Sequence, residues 1–523
     1  MRELGERTDT NCDVTEDAIR ADVVVVGGGS AGAVVARRLV EAGMRVLVLE
    51  AGGPDTNPAI HIPARCHELW FAEEDWAYHT VPQHGAAGRR LHWPRGRVLG
   101  GSGALNGMIH VRGAPADYDN WAYLGNAGWS WADVLPIFIA MEDYDRGPSE
   151  FHGAGGPLHI STTWQPSEIA QGFRAAAADC GIPFNADCND GEPDGFSYVQ
   201  MTVLDERRHS SAAAYLAPVR EDPLLTVELR ARARRLLLEG GRCVGVEFAS
   251  GGELRTAHAE VEVVLAAGTI ESPRLLMLSG IGPAEHLASL GIDVVSELPG
   301  VGENLHDHIL SPVICSAERE IGPPPPGCWA AESHLFWRSR SGLVGPDIQP
   351  INFSVPAYES WMSGPANGFT MYGGIVRPAS RGRLRLFSND PEDDLDIDPR
   401  ILSCGADLEA LEAAVNLCRE MAASPALAGW QPRELYPGPQ VRGPEDLRDY
   451  MRRTAVTYHH QVGTCRMGID EYAVVDPQLR VRGVDGLRVA DASVMPAVVS
   501  GNTNSASLMI GERAAGFLAA AGR

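Results

Sequence analysis

Ala21-Asp22-Val23-Val24-Val25-Val26-Gly27-Gly28-Gly29-Ser30-Ala31-Gly32 is the stretch on which the fold turns. Its Val-rich run reads as a parallel strand buried on both faces. The run ends in glycines that satisfy G-x-G-x-x-G, and residues 30–42 continue with helical spacing. Residues 44–49 read as a second strand, closed by Glu50. The glycines permit a tight turn and let backbone approach a pyrophosphate, which then sits on the positive end of the helix. Glu50 falls where an adenosine ribose needs an acceptor for its hydroxyls. Glycines alone would suit any strand-to-helix turn; strand, turn, helix, strand and acid in register predict a dinucleotide site.

Outward from this unit, residues 61–113 are rich in Trp, His, Gly and Pro and read as long structured loops, a form that usually serves function. They contain a second glycine-rich run, Gly96-Arg97-Val98-Leu99-Gly100-Gly101-Ser102-Gly103-Ala104-Leu105-Asn106-Gly107. It suits backbone approach to a large flat cofactor, and equally a glycine-rich surface loop. Residues 225–248 read as β-rich runs broken by a hairpin at Glu239-Gly240-Gly241, and residues 261–265 as a buried strand before a helix ending near Gly280. Residues 311–454 change character, with a Pro run at Pro323–Pro326, alternating strand patterns and an amphipathic helix over 408–423. The acidic run Asp390 to Asp398 reads as a solvated loop, residues 487–490 as a strand and 505–521 as a terminal helix.

The chain has 523 residues, enough for two domains, since single cores stop growing near about 250–300 residues. A formal charge of -24 argues against nucleic-acid and anionic-membrane partners. Every fixed cation is Arg; without Lys, Schiff-base catalysis and a Lys-containing phosphate loop are excluded. The ten Cys are scattered, with no C-x-x-C pair and no metal-like cluster. Residues 1–20 are polar and acidic and read as a disordered lead-in rather than a signal peptide. No apolar run is long enough to span a bilayer, and a cytoplasmic location is expected.

Taken together, four ordered segments resemble the glucose–methanol–choline (GMC) oxidoreductase family. They are Gly96 to Asn106, Gly268 to Gly282, Arg377-Pro378-Ala379-Ser380-Arg381-Gly382 leading to Ile397-Asp398-Pro399, and His460-Gln461-Val462-Gly463-Thr464-Cys465-Arg466-Met467-Gly468. The resemblance implies an α/β fold: a Rossmann-like FAD-binding domain (21–165, 200–310 and 455–523) and a discontinuous antiparallel-sheet plus helix substrate domain (166–199 and 311–454). By motif match, Gly27, Gly29, Ser30, Ala31, Gly32, Glu50 and Ala51 would hold the ADP half of FAD. Arg97, Val98, Gly101, Ser102, Asn106, Gly107 and Met108 would follow the ribityl chain and isoalloxazine, and Ala233 would meet the adenine through its backbone. Ala267, Asp491, Ala492, Asn502 and Thr503 complete the implied cofactor set. Some relatives tether FAD through a His before the Asn of the first segment; Leu105 stands there, so a non-covalent FAD is implied. His110 replaces the aromatic of many members.

Alcohol oxidation removes a proton from oxygen and a hydride from carbon, and a flavin takes the hydride at N5, so the protein must supply a proton acceptor. The resemblance places His460 in that role; its neighbour His459 is the competing candidate and is assigned a structural or substrate-facing role. It gives Asn502, or failing that Asn504, the hydrogen bond to the substrate oxygen; as plain sequence, the same segment reads as a helix N-cap. The helix would turn its positive end to the reduced flavin. His306-Asp307-His308 reads as structural and no metal site is expected. Trp70, Phe71 and Trp76 would line the substrate path or pack as core.

The implied activity is oxidation of a primary alcohol to the aldehyde, with electrons passed to O2 or another acceptor. Aromatic or heteroaromatic alcohols come first and polyols or amino alcohols second. Choline-type activity fits less well, because His459 replaces an aromatic of the cation site. A lyase of the hydroxynitrile type, with FAD as a structural element, is the alternative.

Overall fold

The structure, a computed structural model, describes residues 18–521. Most of the expected lead-in lies outside the described residues, but Ile19 and Arg20 pair with Ala257 and His258, so the first strand starts two residues earlier than expected.

The first sheet runs in the order Leu225–Leu229, Val46–Glu50, Ile19–Val26, Glu253–Leu265, Arg242–Ser250, Arg232–Glu239, with Leu487–Val489 also pairing on Glu253–Leu265. The first four strands are mutually parallel, and the hairpin at Gly240-Gly241 adds the antiparallel edge. Val23, Val24 and Val25 are wholly buried, as a central strand covered on both faces requires. Each such side chain contributes about 1.5–3 kcal/mol by leaving water. The helices Ser30–Glu41 and Asn504–Ala521 pack on each other beside this sheet. Gly32 allows the first of them to approach the strand, because a Cβ there would stand 1.9 Å from the Gly27 carbonyl oxygen.

The second sheet is antiparallel, in the order Arg433–Tyr436, Ile309–Ser316, Gly368–Ile375, Ile351–Phe353, Ala331–Phe336, Gly195–Tyr198. Val456–Thr457 also pairs with Ile309–Ser316, so this sheet reaches beyond both expected borders of the 311–454 segment. The helix Gly405–Ala422 presses on Gly373 so closely that a Cβ would lie 2.7 Å from the Val415 nitrogen. The acidic run is a loop only in its first part: Leu395–Asp398 forms a strand with Arg383–Leu386, setting Arg383 opposite Asp398 and Arg385 opposite Asp396. Opposite charges across the pair stabilise what composition alone reads as loop. Among the described residues no helix is long and apolar enough to cross a membrane.

Candidate active site

A cavity of about 1230 Å³ runs from the Gly27 turn to His460. It exceeds the roughly 300–1,000 Å³ of ordinary ligand pockets, which leaves room for a dinucleotide and a small substrate together. At one end the turn Gly27–Gly29 opens the helix Ser30–Glu41 into the cavity, with its free amides at the mouth. Gly101, at φ +53°, comes so near Gly29 that a Cβ on it would lie 2.7 Å from the Gly29 Cα. The two bare backbones make a cradle that side chains would fill. Glu50 accepts from the Gly28 amide at 2.8 Å and the Gly52 amide at 2.7 Å. Burial pushes its carboxyl up to about 7 against those two hydrogen bonds.

Of the expected cofactor residues, Gly27, Gly29, Ser30, Ala31, Glu50, Ala51, Gly101, Ser102, Asn106, Gly107, Met108, Ala233, Ala267, Asp491, Ala492, Asn502 and Thr503 line this cavity. Three stand apart from the lining. Gly32 serves helix packing, Val98 is wholly buried in a bridge to Gly53, and Arg97 lays its guanidinium 4.9 Å from the Trp76 ring centre. Met108 has φ +59°, a costly conformation for a residue with a side chain. Asn106 supports it, since its Oδ1 accepts from the Met108 amide at 2.9 Å and from Arg208 at 2.6 Å. Asp491 holds the start of the helix Gly268–Leu278, accepting from the Gly268 amide and the Ser272 hydroxyl.

At the other end lies His460. Its Nε2 is 3.2 Å from Asn502 Nδ2 and its Nδ1 is 2.9 Å from His308 Nδ1. Burial, then His308, His459 and Arg95, hold it well below the usual histidine range, so it is neutral at pH 7. The terminal helix starts at Asn504, and the Asn502 side chain turns to His460 rather than capping the helix. Asn504 is not beside the base: its Oδ1 accepts from the Ser30 hydroxyl at 2.7 Å, tying two helix starts together.

His459 sits in the left-handed region at φ +66°, with Trp70 edge-on at 5.1 Å and Arg95 donating to its carbonyl at 2.7 Å. Burial and Arg95 push its imidazole down to about 3. Both it and Trp70 line the cavity, together with Phe71, Trp76, Trp329, Phe353, Tyr372 and Tyr458. Tyr458 stacks on His460 at 4.6 Å.

Sequence reasoning set the His306-Asp307-His308 segment aside as structural, yet it forms the support of the base. His306 donates from Nδ1 to the Asn304 carbonyl and accepts at Nε2 from the Val498 amide, whereas Asp307 and His308 reach the His460 loop directly. Adjacent His and Asp just before a buried strand was the available signal; their partner lay too far along the chain to pair by inspection. His110 is buried between Glu142, 2.9 Å from its Nε2, and the Ser505 hydroxyl, 2.9 Å from its Nδ1. An aromatic there would leave Glu142 with fewer partners.

Comparison with known proteins gives the family. Family models described as GMC oxidoreductase match residues 21–310 and 378–511. The chain is 41% identical over 524 residues to an uncharacterized GMC-type oxidoreductase of Mycobacterium tuberculosis, covering 95% of this chain and 99% of that protein. It is 40% identical over 529 residues to the mitochondrial choline dehydrogenase of Mus musculus, covering 95% and 89%. Among solved structures, pyridoxine 4-oxidase from Mesorbium loti matches with TM-score 0.91 and 38% identity, covering 94% and 98% of the two chains. A formate oxidase of Aspergillus oryzae RIB40, described for its FAD modification, matches with TM-score 0.89 and 27% identity, covering 97% and 99%.

Proposed function

The chain belongs to the GMC oxidoreductase family, whose members act on CH–OH groups, and from that membership we propose that it oxidises a primary alcohol to the aldehyde with a non-covalently bound FAD. The observation that carries the proposal is the neutral His460 imidazole beside the Asn502 amide, 3.2 Å apart on the wall of a cavity that begins at a dinucleotide turn. The glycine cradle, the free helix amides and the Glu50 acceptor fit an FAD, with the ADP half at Gly27–Ala31 and Glu50. Leu105, where some relatives carry a tethering His, has no group to form a covalent link. FAD, when bound, supplies the acceptor for the hydride that leaves the alcohol carbon.

His460 Nε2 takes the hydroxyl proton, and Asn502 Nδ2 donates to the oxygen as it gains negative charge. His308 stays neutral beside the protonated His460, because burial pushes its own imidazole down to about 3. The aromatic wall of Trp70, Trp329, Phe353, Tyr372 and Tyr458 supports an aromatic or heteroaromatic alcohol, as does likeness to a pyridoxine oxidase. A choline-type substrate has two observations in its favour, likeness to a choline dehydrogenase and the carboxylate of Glu359 in the lining near Trp361. Arg89 opposes that carboxylate, and burial raises its pKa, so the aromatic reading is preferred.

The test is anaerobic titration of the yellow protein with benzyl alcohol, 4-pyridylmethanol, pyridoxine, choline and glycerol, beside His460→Ala. Bleaching by an aromatic alcohol, lost in the variant, is the expected result, and admitting air then separates transfer to O2 from transfer to another acceptor. Bleaching by choline alone would overturn the substrate class; no bleaching by any alcohol would overturn the reaction and favour the lyase.

A further inference from the structure

Behind Asn502, outside the cavity lining, lies Gln349, wholly buried in the run that leads into the strand Ile351–Phe353. Its backbone amide donates to the Gly374 carbonyl at 2.9 Å, which fixes the residue on the second sheet. Its Nε2 is 3.3 Å from Asn502 Oδ1 and 3.1 Å from His334 Nδ1, and its Oε1 is buried without a partner. We propose that Gln349 is a positioning residue: by donating to Asn502 Oδ1 it sets which way the Asn502 amide faces, and so which nitrogen of His460 is free to accept a proton. The inference rests on the reading of His460 and Asn502 given above.

His308, His334 and His460 are all neutral, so each carries one N–H. With Gln349 donating to Asn502 Oδ1, Asn502 Nδ2 points at His460 Nε2, which must be the acceptor. The His460 proton then sits on Nδ1 and is donated to His308 Nδ1 at 2.9 Å. His308 carries its own proton on Nε2, which is buried on the Val376 side without a hydrogen-bond partner. On the far side Gln349 donates also to His334 Nδ1, whose Nε2–H faces Cys188 Sγ at 3.8 Å. Every contact has one donor and one acceptor, and the orphan on Gln349 is a carbonyl oxygen.

Turning both amides over would orphan both N–H groups of the Gln349 amide and leave His308 Nε2 an unpaired acceptor, two buried orphan donors where the favoured arrangement has one, which costs more. It would also put the His460 proton on Nε2, where the alcohol must deliver its own, and turn Asn502 Oδ1 toward an oxygen becoming negative. The orientation enforced by Gln349 is the one that can accept a proton and stabilise the alkoxide that remains.

The test uses the holoenzyme labelled with 15N-histidine, the His460 signals being identified by their loss in His460→Ala. The wild type is expected in the Nδ1–H form. Gln349→Glu, read at a pH at which the buried carboxyl is ionised and can only accept, should move His460 to the Nε2–H form; the near-isosteric and uncharged Gln349→Met should give a mixture. A wild-type His460 in the Nε2–H form, or an unchanged Nδ1–H form in both variants, would overturn the proposal. In anaerobic reduction by benzyl alcohol, Gln349→Met should slow the reduction step about tenfold or more at an unchanged half-saturating concentration. It should add no further loss in an Asn502→Ala background; an additive loss would show that Gln349 does not act through Asn502. A wild type that benzyl alcohol fails to reduce counts against the aromatic-alcohol reading, while the tautomer measurement still decides the role of Gln349.

Discussion

Asp307 holds His460 by the main chain: its Oδ1 accepts from the His460 amide at 2.8 Å, although 153 residues separate them in sequence. The other carboxylate oxygen takes the Thr457 hydroxyl and the Gln461 amide at 3.0 Å. One side chain therefore organises the whole turn that carries the base, including the left-handed His459.

Asp307→Asn tests that arrangement. An amide replaces one acceptor oxygen by a donor, which meets either the His460 amide or the Gln461 side chain donor to donor. A loss of about 1–3 kcal/mol in stability is expected. Anaerobic reduction by an alcohol substrate should slow about 10–100-fold, as expected when the base is misplaced. Thermal melting and stopped-flow absorbance would measure the two effects; a variant that melts and reacts like the wild type would remove Asp307 from this role.

Glu50 predicts a pH dependence of cofactor retention. Its carboxyl titrates at about 7, so as pH falls through 7 the site loses a negative acceptor while both backbone donors stay in place. FAD affinity should therefore weaken below pH 7 by about tenfold per 1.4 kcal/mol lost. Glu50→Gln should bind weakly throughout and flatten the profile. Fluorescence of released FAD between pH 6 and pH 8 would check this, and a profile identical in wild type and variant would count against it.

Gly101→Ala should expel the cofactor rather than unfold the chain. The added Cβ would meet Gly29 at 2.7 Å and the backbone sits at φ +53°, so the cradle must open. The variant is expected to purify with little yellow colour and ordinary far-UV circular dichroism. Full flavin occupancy would mean that the two loops part more easily than their contact indicates.

Acid sensitivity should come from buried imidazoles. His308, His334 and His459 titrate at about 3 in the folded chain, below the unfolded value, through burial. Each favours the folded state fully above about 6.5, and that contribution is lost as pH falls toward 3, by up to about 1.4 kcal/mol per unit. Melting temperature should drop between pH 7.5 and pH 5.5, and less steeply in His334→Gln than in the wild type. Equal slopes would exclude His334 as a source.

What the sequence made legible was local. The turn Gly27–Gly32 and the first β-α-β unit rest on motifs whose spacing is set by backbone geometry, whereas the pairing of His460 with Asn502 came from the family resemblance alone. Asn504 and Asn502 could not be separated from spacing, because two residues of turn decide which amide faces the cavity. Asp307 and His308 were visible as residues but not as partners, since their contact to His460 exists only once a strand of the second sheet is in place. Gln349 gave no signal at all: a polar residue before a short strand becomes informative only when its burial is known. The strand Leu395–Asp398 was hidden by its charge, which cross-strand arginines neutralise.

The support of His460 comes from two directions. Asp307 and His308 lead directly into Ile309–Ser316 of the antiparallel sheet, whereas Asn502 lies at the start of the helix packed beside the parallel one. A hinge motion that parted the halves would take Asn502 from the imidazole, whose own turn stays with the antiparallel sheet through Thr457 and Asp307, so the machinery is armed only while the molecule stays shut. Passage of alcohol in and aldehyde out then falls to the rim, where Trp70 and Phe71 are 41% and 64% exposed, and not to the joint between sheets.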